Sequence, residues 1–214
     1  MEADVEKILI IGNGGHARSL IDIIERQKKY TVSGFIVNEK FKDSGSYPII
    51  GNDNDLEKLF YSGIENAAIG IGYLGKSDVR EKLYEKLKRI GYQLPVICDP
   101  SAIISEQVKI GEGSFIGKGV IINTCVSIGK MCIINSGAVI EHDCRIADFT
   151  HLSVASVLCG EVNVGEASFI GANATVIQQK EIGRRCIIGA GTVIRKQVED
   201  YSMVYSIKNN IGGG

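Results

Sequence analysis

The chain is short of several things. Its 214 residues include no tryptophan, three prolines and three histidines. No stretch approaches the ~20 consecutive apolar residues of a membrane span, so no helical membrane insertion is expected. Neither sign of charge dominates, with 24 basic against 25 acidic residues. That balance offers no basic footprint for nucleic acid and no polybasic membrane anchor. The first residues, MEADVEKILIIG, are acidic and lack the basic and apolar regions of a secretory signal. A soluble, cytoplasmic protein is therefore expected. The six cysteines (Cys98, Cys125, Cys132, Cys144, Cys159 and Cys186) form no C-x-x-C pair. This argues against a zinc site and for reduced thiols. Against these shortages stand 26 glycines.

Much of the glycine belongs to a repeat. Steps of six residues from Ile110 reach Ile116, Ile122, Ile128, Ile134, Ile140, Ile146, Leu152, Leu158, Val164, Ile170, Val176, Ile182, Ile188 and Ile194. Every step is aliphatic, and one step back reaches Ile104. A period of six suits neither a helix nor a simple strand. It suits a short strand and a tight corner, three of which close a triangular coil. The aliphatic would point into the prism, and a small or β-branched residue two positions earlier would fit near the corner. Cys132, Cys144 and Cys186 occupy that slot as core filler. Glycine often follows the aliphatic, as at Gly111, Gly117, Gly129, Gly165, Gly171, Gly183 and Gly189, and is read as serving unusual backbone angles. The pattern predicts an all-β left-handed parallel β-helix of about five coils over 104–195.

Residues 7–98 read differently, as alternating strands and helices. Strands are expected at Lys7–Gly12, Thr31–Val37, Ile49–Ile50, Asn66–Gly72 and Leu94–Cys98. Helices are expected over His16–Lys28, from Asp53 to about Tyr61, and from Ser77 or Asp78 to Ile90, with Gly91 ending the last. This is an α/β domain with a parallel sheet, roughly half a Rossmann fold. The expected division is 1–98 for the α/β domain and 99–214 for the β-helix with a short C-terminal tail.

Gly12-Asn13-Gly14-Gly15 follows the first strand and opens the first helix. Such a turn lets backbone N–H groups approach an anion at a helix N-terminus. Ala17 stands where a third glycine would complete G-x-G-x-x-G, an accepted variant. Three readings follow: a nucleotide-sugar diphosphate site, an NAD(P) site, or a structural glycine turn. The first is favoured, because a domain this small lacks the half that would hold a nicotinamide.

His16 lies in that turn, and His142 and His151 lie in the repeat. Glu141 and Asp143 flank His142. A carboxylate bonded to one ring nitrogen fixes the tautomer and makes the other a better base. The rival reading is a surface imidazole on a solvated prism.

Together, the strand-GxGGHA turn, the GFIVN strand, the DPSAIIS junction, NSGAVIEHDC, DFTHLS and the repeat length make the chain resemble the PglD/NeuD-type sugar acetyltransferases of the hexapeptide-repeat superfamily. The resemblance spans nearly the whole chain. It implies a homotrimer, a nucleotide sugar in the α/β domain, and acetyl-CoA as co-substrate in the groove between prisms, with no metal. It implies His142 as general base and Asp143 as the carboxylate orienting it. It places Asn135 near the sugar, and His16 with Gly14 and Gly15 beside the phosphates. His151 would lie close to the acetyl group, the Gly160 N–H near the acetyl oxygen, and Ala190 against CoA. Some residues depart from the pattern. The paired aspartates after GF-x are Val37 and Asn38 here, although Asn38 can still accept from a base N–H. The GVPAK tail is replaced by Val204-Tyr205-Ser206-Ile207-Lys208.

The expected function is N-acetylation of the 4-amino group of a UDP-4-amino-4,6-dideoxy sugar for glycan or polysaccharide biosynthesis. Sugar O-acetylation of the sialic-acid type shares most of these motifs. A non-catalytic nucleotide-sugar sensor or scaffold is a third possibility, and the His142–Asp143 pair argues against it.

Overall fold

The computed structural model describes residues 5–37, 47–73 and 78–206. Asn38, Ser77, Ile207 and Lys208 lie outside the described residues.

The front half is the expected α/β unit. Strands β1 (Glu6–Ile11), β2 (Tyr30–Ile36), β3 (Ile49–Gly51) and β4 (Asn66–Ile69) form a parallel sheet in the order β3-β2-β1-β4. Helices α1 (Gly15–Gln27), α2 (Leu56–Tyr61) and α3 (Val79–Ile90) connect or flank them. Ile8, Leu9, Ile10 and Ile11 are all buried, as a central strand covered on both faces requires. Gly91 ends α3 in the left-handed conformation at φ +118°, as expected.

Three expected boundaries move. Helix α2 is capped at Asp55, not Asp53. Asn52 accepts the Asn54 N–H on its side chain at 2.9 Å, and this local turn delays the helix. Strand β4 stops at Ile69, and the residues that follow line a cavity. The fifth strand contracts to Ile97–Cys98 and leaves the α/β sheet altogether, pairing with Phe115–Ile116 of the repeat. The prism therefore begins just before the 98/99 boundary.

The repeat folds as a left-handed parallel β-helix with three sheets of five, seven and six strands. Its strands run from Ile97–Cys98 to Met203–Val204, about one coil longer than the expected 104–195. Strands pair in parallel with the residue eighteen positions on, as in Ile134 with Leu152 and Ile140 with Leu158. The aliphatic column from Ile116 to Ile194 is buried throughout. Each such side chain stabilises the fold by about 1.5–3 kcal/mol, which offsets the entropy of ordering its coil. Cys132, Cys144 and Cys186 are fully buried in the slot expected of them. All six cysteines are free thiols.

The glycine expectation needs correction. Glycines after the aliphatic do not have positive φ. The left-handed corner position falls three residues after the aliphatic, and residues such as Cys125, Asp143, Phe149 and Asn173 occupy it. The glycines answer a different constraint, the backbone of the next coil. A Cβ on Gly165 would lie 2.5 Å from the Arg184 amide nitrogen, and one on Gly171 would lie 2.6 Å from that of Ala190.

Each prism face has its own character. One face, with outward residues Phe115, Ile133 and His151, receives the α/β domain, and the two share one core that includes Met131, Phe149 and Ala167. The Arg26–Asp99 pair at 2.6 Å and Tyr84 Oη donating to Glu112 at 2.8 Å tie the halves together. A second face is polar, with Lys109, Ser127, Arg145, Asn163 and Glu181 outward. The third presents Ile103, Ile121, Val139, Val157, Thr175 and Val193, of which Ile103 is 66 % exposed.

Candidate active site

The glycine turn opens a cavity of about 740 Å³ between the α/β domain and the prism. Residues 11–16 form its floor, Ile36 and Val37 one side, and Gly70–Tyr73 another. Val79, Lys82, Leu83 and Lys86 of α3, Asp53, and His151 of the prism complete it. The glycines do separate jobs. Gly12 sits at φ +92°, where its amide still reaches the Ile36 carbonyl at 2.8 Å. A Cβ on Gly14 or Gly15 would meet nothing within 4 Å, so both face open space at the start of α1. Gly14 caps α1 without a side-chain bond, and the first turn holds no acid. The first N–H groups of a helix have no intrahelical partner, and with the positive end of the helix dipole they suit an anion. Gly70 explains the alanine variant of the motif. A Cβ there would lie 2.6 Å from the Cβ of Ala17, so close helix–strand packing is achieved from the strand side.

Two of the three histidines meet at this cavity. His16 packs edge-on against Phe115, with ring centroids 4.8 Å apart. Burial, then the charges of Arg80 and His151, push its pKa down to about 3. His151 bonds through Nδ1 to the Tyr73 carbonyl at 2.5 Å. A carbonyl only accepts, so Nδ1 carries the proton and Nε2 the lone pair. Burial is the main reason the pKa of His151 falls to about 4; the Tyr73 bond opposes the fall and Arg80 adds to it. Both imidazoles are neutral at pH 7.

His142 lies elsewhere, on the edge between the apolar and polar faces. Its Nδ1 and the Asp143 carboxylate are 2.9 Å apart, and the two side chains are 50 % and 56 % exposed. The carboxylate accepts from Nδ1–H, which leaves Nε2 as the basic nitrogen. Asp143 holds this geometry from the left-handed corner, at φ +59°. The Asp143 hydrogen bond raises the His142 pKa above its ordinary value, partial burial opposes this, and the charges of Asp143, Glu141 and Glu161 reinforce it. Asn123 holds Glu141 by a 2.9 Å hydrogen bond. The imidazole rests on Gly160 of the next coil: a Cβ there would lie 2.6 Å from Nε2.

The expected site residues therefore fall into three groups. Gly12, Asn13, Gly14, Gly15, His16 and His151 share the cavity. His142, Asp143 and Gly160 share one edge of the apolar face. Asn135 and Ala190 share its opposite edge, where Asn135 Oδ1 accepts the Ser136 N–H at 2.9 Å. His151 and Gly160, both expected near the acetyl group, are on different sides of one prism. Sequence reasoning did not single out Arg80, Tyr73, Lys82 or Lys86. A signal existed for Arg80, because it falls in the buried stripe of α3 with Leu83 and Leu87. Among the described residues, no cluster of His, Cys, Asp or Glu is arranged to hold a metal, and no helix is long and apolar enough to cross a membrane.

Comparison with known proteins places these features in context. The profile of the PglD N-terminal domain matches residues 7–87. Profiles of bacterial transferase hexapeptide repeats and of the hexapeptide repeat of succinyl-transferase match 161–196 and 107–145. No curated protein sequence matches. A solved structure of GDP-perosamine N-acetyltransferase from Caulobacter crescentus, a histidine-to-alanine variant with CoA and GDP-perosamine bound, is 34 % identical. The match covers 98 % of each chain with a TM-score of 0.89. The acetyltransferase domain of PglB from Neisseria gonorrhoeae, solved with acetyl coenzyme A, is 27 % identical over 94 % of this chain and 96 % of that one, with a TM-score of 0.86.

Proposed function

The chain belongs to the family of hexapeptide-repeat acetyltransferases with a PglD-type N-terminal domain, which includes the GDP-perosamine N-acetyltransferase, and from that premise we propose that it transfers acetyl from acetyl-CoA to the 4-amino group of a nucleotide-linked 4-amino-4,6-dideoxy sugar. The observation that carries this reading is the His142 imidazole, fixed by Asp143 with Nε2 turned out over a glycine. The neutral amine attacks the thioester carbonyl. His142 Nε2 takes the ammonium proton as the C–N bond forms, and the imidazolium returns it to the departing CoA sulfur. No enzyme nucleophile is required once the amine is placed. Among the described residues no carbonyl accepts the Gly160 N–H, which leaves it for the developing oxyanion.

The cradle is assigned the diphosphate. Sequence reasoning favoured uridine, but the paired aspartates of the family pattern are missing, and the 34 % identical relative is solved with GDP-perosamine. A GDP-linked sugar is therefore the better reading.

Within one chain the cradle and His142 are on different sides of the prism. The apolar face between the His142 edge and the Asn135–Ala190 edge supports a homotrimer. Copies packed through it would bring one chain's base to another's sugar, with CoA between them.

A direct assay tests the reading. Acetyl-CoA would be offered with GDP-, UDP-, dTDP- and CMP-linked sugars bearing amino or only hydroxyl acceptors. An amide product from a GDP-4-amino sugar is expected. A hydroxylamine-labile ester, or no turnover with any amine, would refute it.

A further inference from the structure

Arg80 is a buried cation with no counter-ion among the described residues. It is 3 % exposed, on the inner side of α3. Its guanidinium donates to the carbonyls of Ile71 at 2.6 Å, Met131 at 2.8 Å and Ile69 at 3.4 Å. These partners are dipoles, and none carries charge. Among the described residues no carboxylate pairs with it: Glu81 is held by Arg185 and Asp78 by Lys82. The thiol of nearby Cys132 is pushed up to about 12, chiefly by burial, and so stays neutral. The Arg80 Nε is buried with no partner. An ion buried in this way is costly unless another charge compensates it.

The surroundings say which charge that is. Ile71 belongs to the segment forming one wall of the cavity, and Ile69 ends the strand leading into it. Arg80 is close enough to act electrostatically on His16 and His151, which line the same cavity. Lys82 and Lys86, two and six residues along α3, line it as well, and Asp53 is the lone carboxylate in its lining among the described residues. The N-terminus of α1, which also lines the cavity, holds no acid in its first turn.

We propose that Arg80 is the counter-charge of the cradle, a positioning residue behind the wall that compensates a diphosphate it does not touch. The proposal rests on the nucleotide-sugar reading above and assigns to one residue the part of binding that depends on phosphate charge. Arg80 also fastens the Ile69–Ile71 backbone to the prism through Met131, so the same side chain sets the wall and its potential. With its charge in place, a diphosphate can enter beside two imidazoles without drawing protons onto them.

The rival role is a neutral strut between domains, and the test separates the two. Binding of GDP, UDP, guanosine and uridine to the full-length protein would be measured by calorimetry. Wild type would be compared with Arg80→Lys, which keeps the charge, and Arg80→Gln, which keeps amide donors for the carbonyls without it. Arg80→Gln should weaken both diphosphates by about 10- to 100-fold, the scale of one charge acting across a partly buried gap. It should change nucleoside binding less than about threefold. Arg80→Lys should retain most diphosphate affinity. The ligand-free melting temperature of Arg80→Gln should hold or rise, since an uncompensated buried charge has gone. If Arg80→Gln does not fold, Arg80→Met, which removes the charge together with its polar requirement, replaces it. Equal weakening of diphosphates and nucleosides, or equal loss in the Lys and Gln variants, would overturn the counter-charge role and leave the nucleotide-sugar reading standing. Failure of wild type to bind either diphosphate would overturn both.

Discussion

A single imidazole is given the chemistry, and its surroundings make that assignment testable. His142→Ala should lower kcat by about 10²–10⁴, the usual worth of a general base, with little change in melting temperature because the ring is half exposed and outside the aliphatic column. Circular dichroism melts beside steady-state kinetics check both halves. The pH profile gives a second handle. The pKa of His142 is raised, the Asp143 hydrogen bond being the largest cause. The base works deprotonated, so activity should climb as pH rises through that elevated pKa. Asp143→Ala should move the rising limb to lower pH and also reduce the plateau, because nothing then fixes the tautomer. An unmoved limb would mean that another group titrates. Gly160→Ala tests the ring's seat. The added methyl would stand 2.6 Å from Nε2, so kcat should fall while the KM for the nucleotide sugar changes little.

The elements of the cradle divide their glycines between ligand and fold, and two substitutions tell them apart. Gly14→Val places its side chain in open cavity space. It should weaken nucleotide-sugar binding, leave CoA binding intact and cost little stability. Gly70→Ala puts a Cβ 2.6 Å from that of Ala17. It should destabilise by about 1–3 kcal/mol through overpacking, read as a shift in the denaturation midpoint. At this scale the repeat was legible because a coil is almost a local object: six residues make one side and eighteen bring the chain back over itself. The role of its glycines was not legible. A glycine after the aliphatic looks like a corner residue, yet the corner is two positions later, and the glycine clears space for the backbone one coil away.

The whole molecule turns on its unequal prism faces. Ile121 is 40 % exposed on the apolar face, in line with Ile103, Val139 and Val157. Ile121→Glu, alone or with Val157→Glu, should convert the proposed trimer to monomers in multi-angle light scattering. Acetyl transfer should be lost while each monomer still binds GDP. An active monomer would show that one chain completes its own site. The docking of the α/β domain also explains why His151 and Arg80 could not be sorted from sequence. Each takes its environment from the other half of the chain: His151 from Tyr73, and Arg80 from Met131.

From the chain alone came the two architectures, the glycine cradle and the histidine–aspartate pair. Each is written in neighbouring residues or in a fixed period, and backbone geometry and hydrophobic burial act on those directly. Only the tertiary structure decided that the fifth strand belongs to the prism, that His151 and His142 are apart, and that a buried arginine backs the cavity. Those facts depend on which surface of one half meets which surface of the other, and no local spacing encodes the electrostatics of that contact.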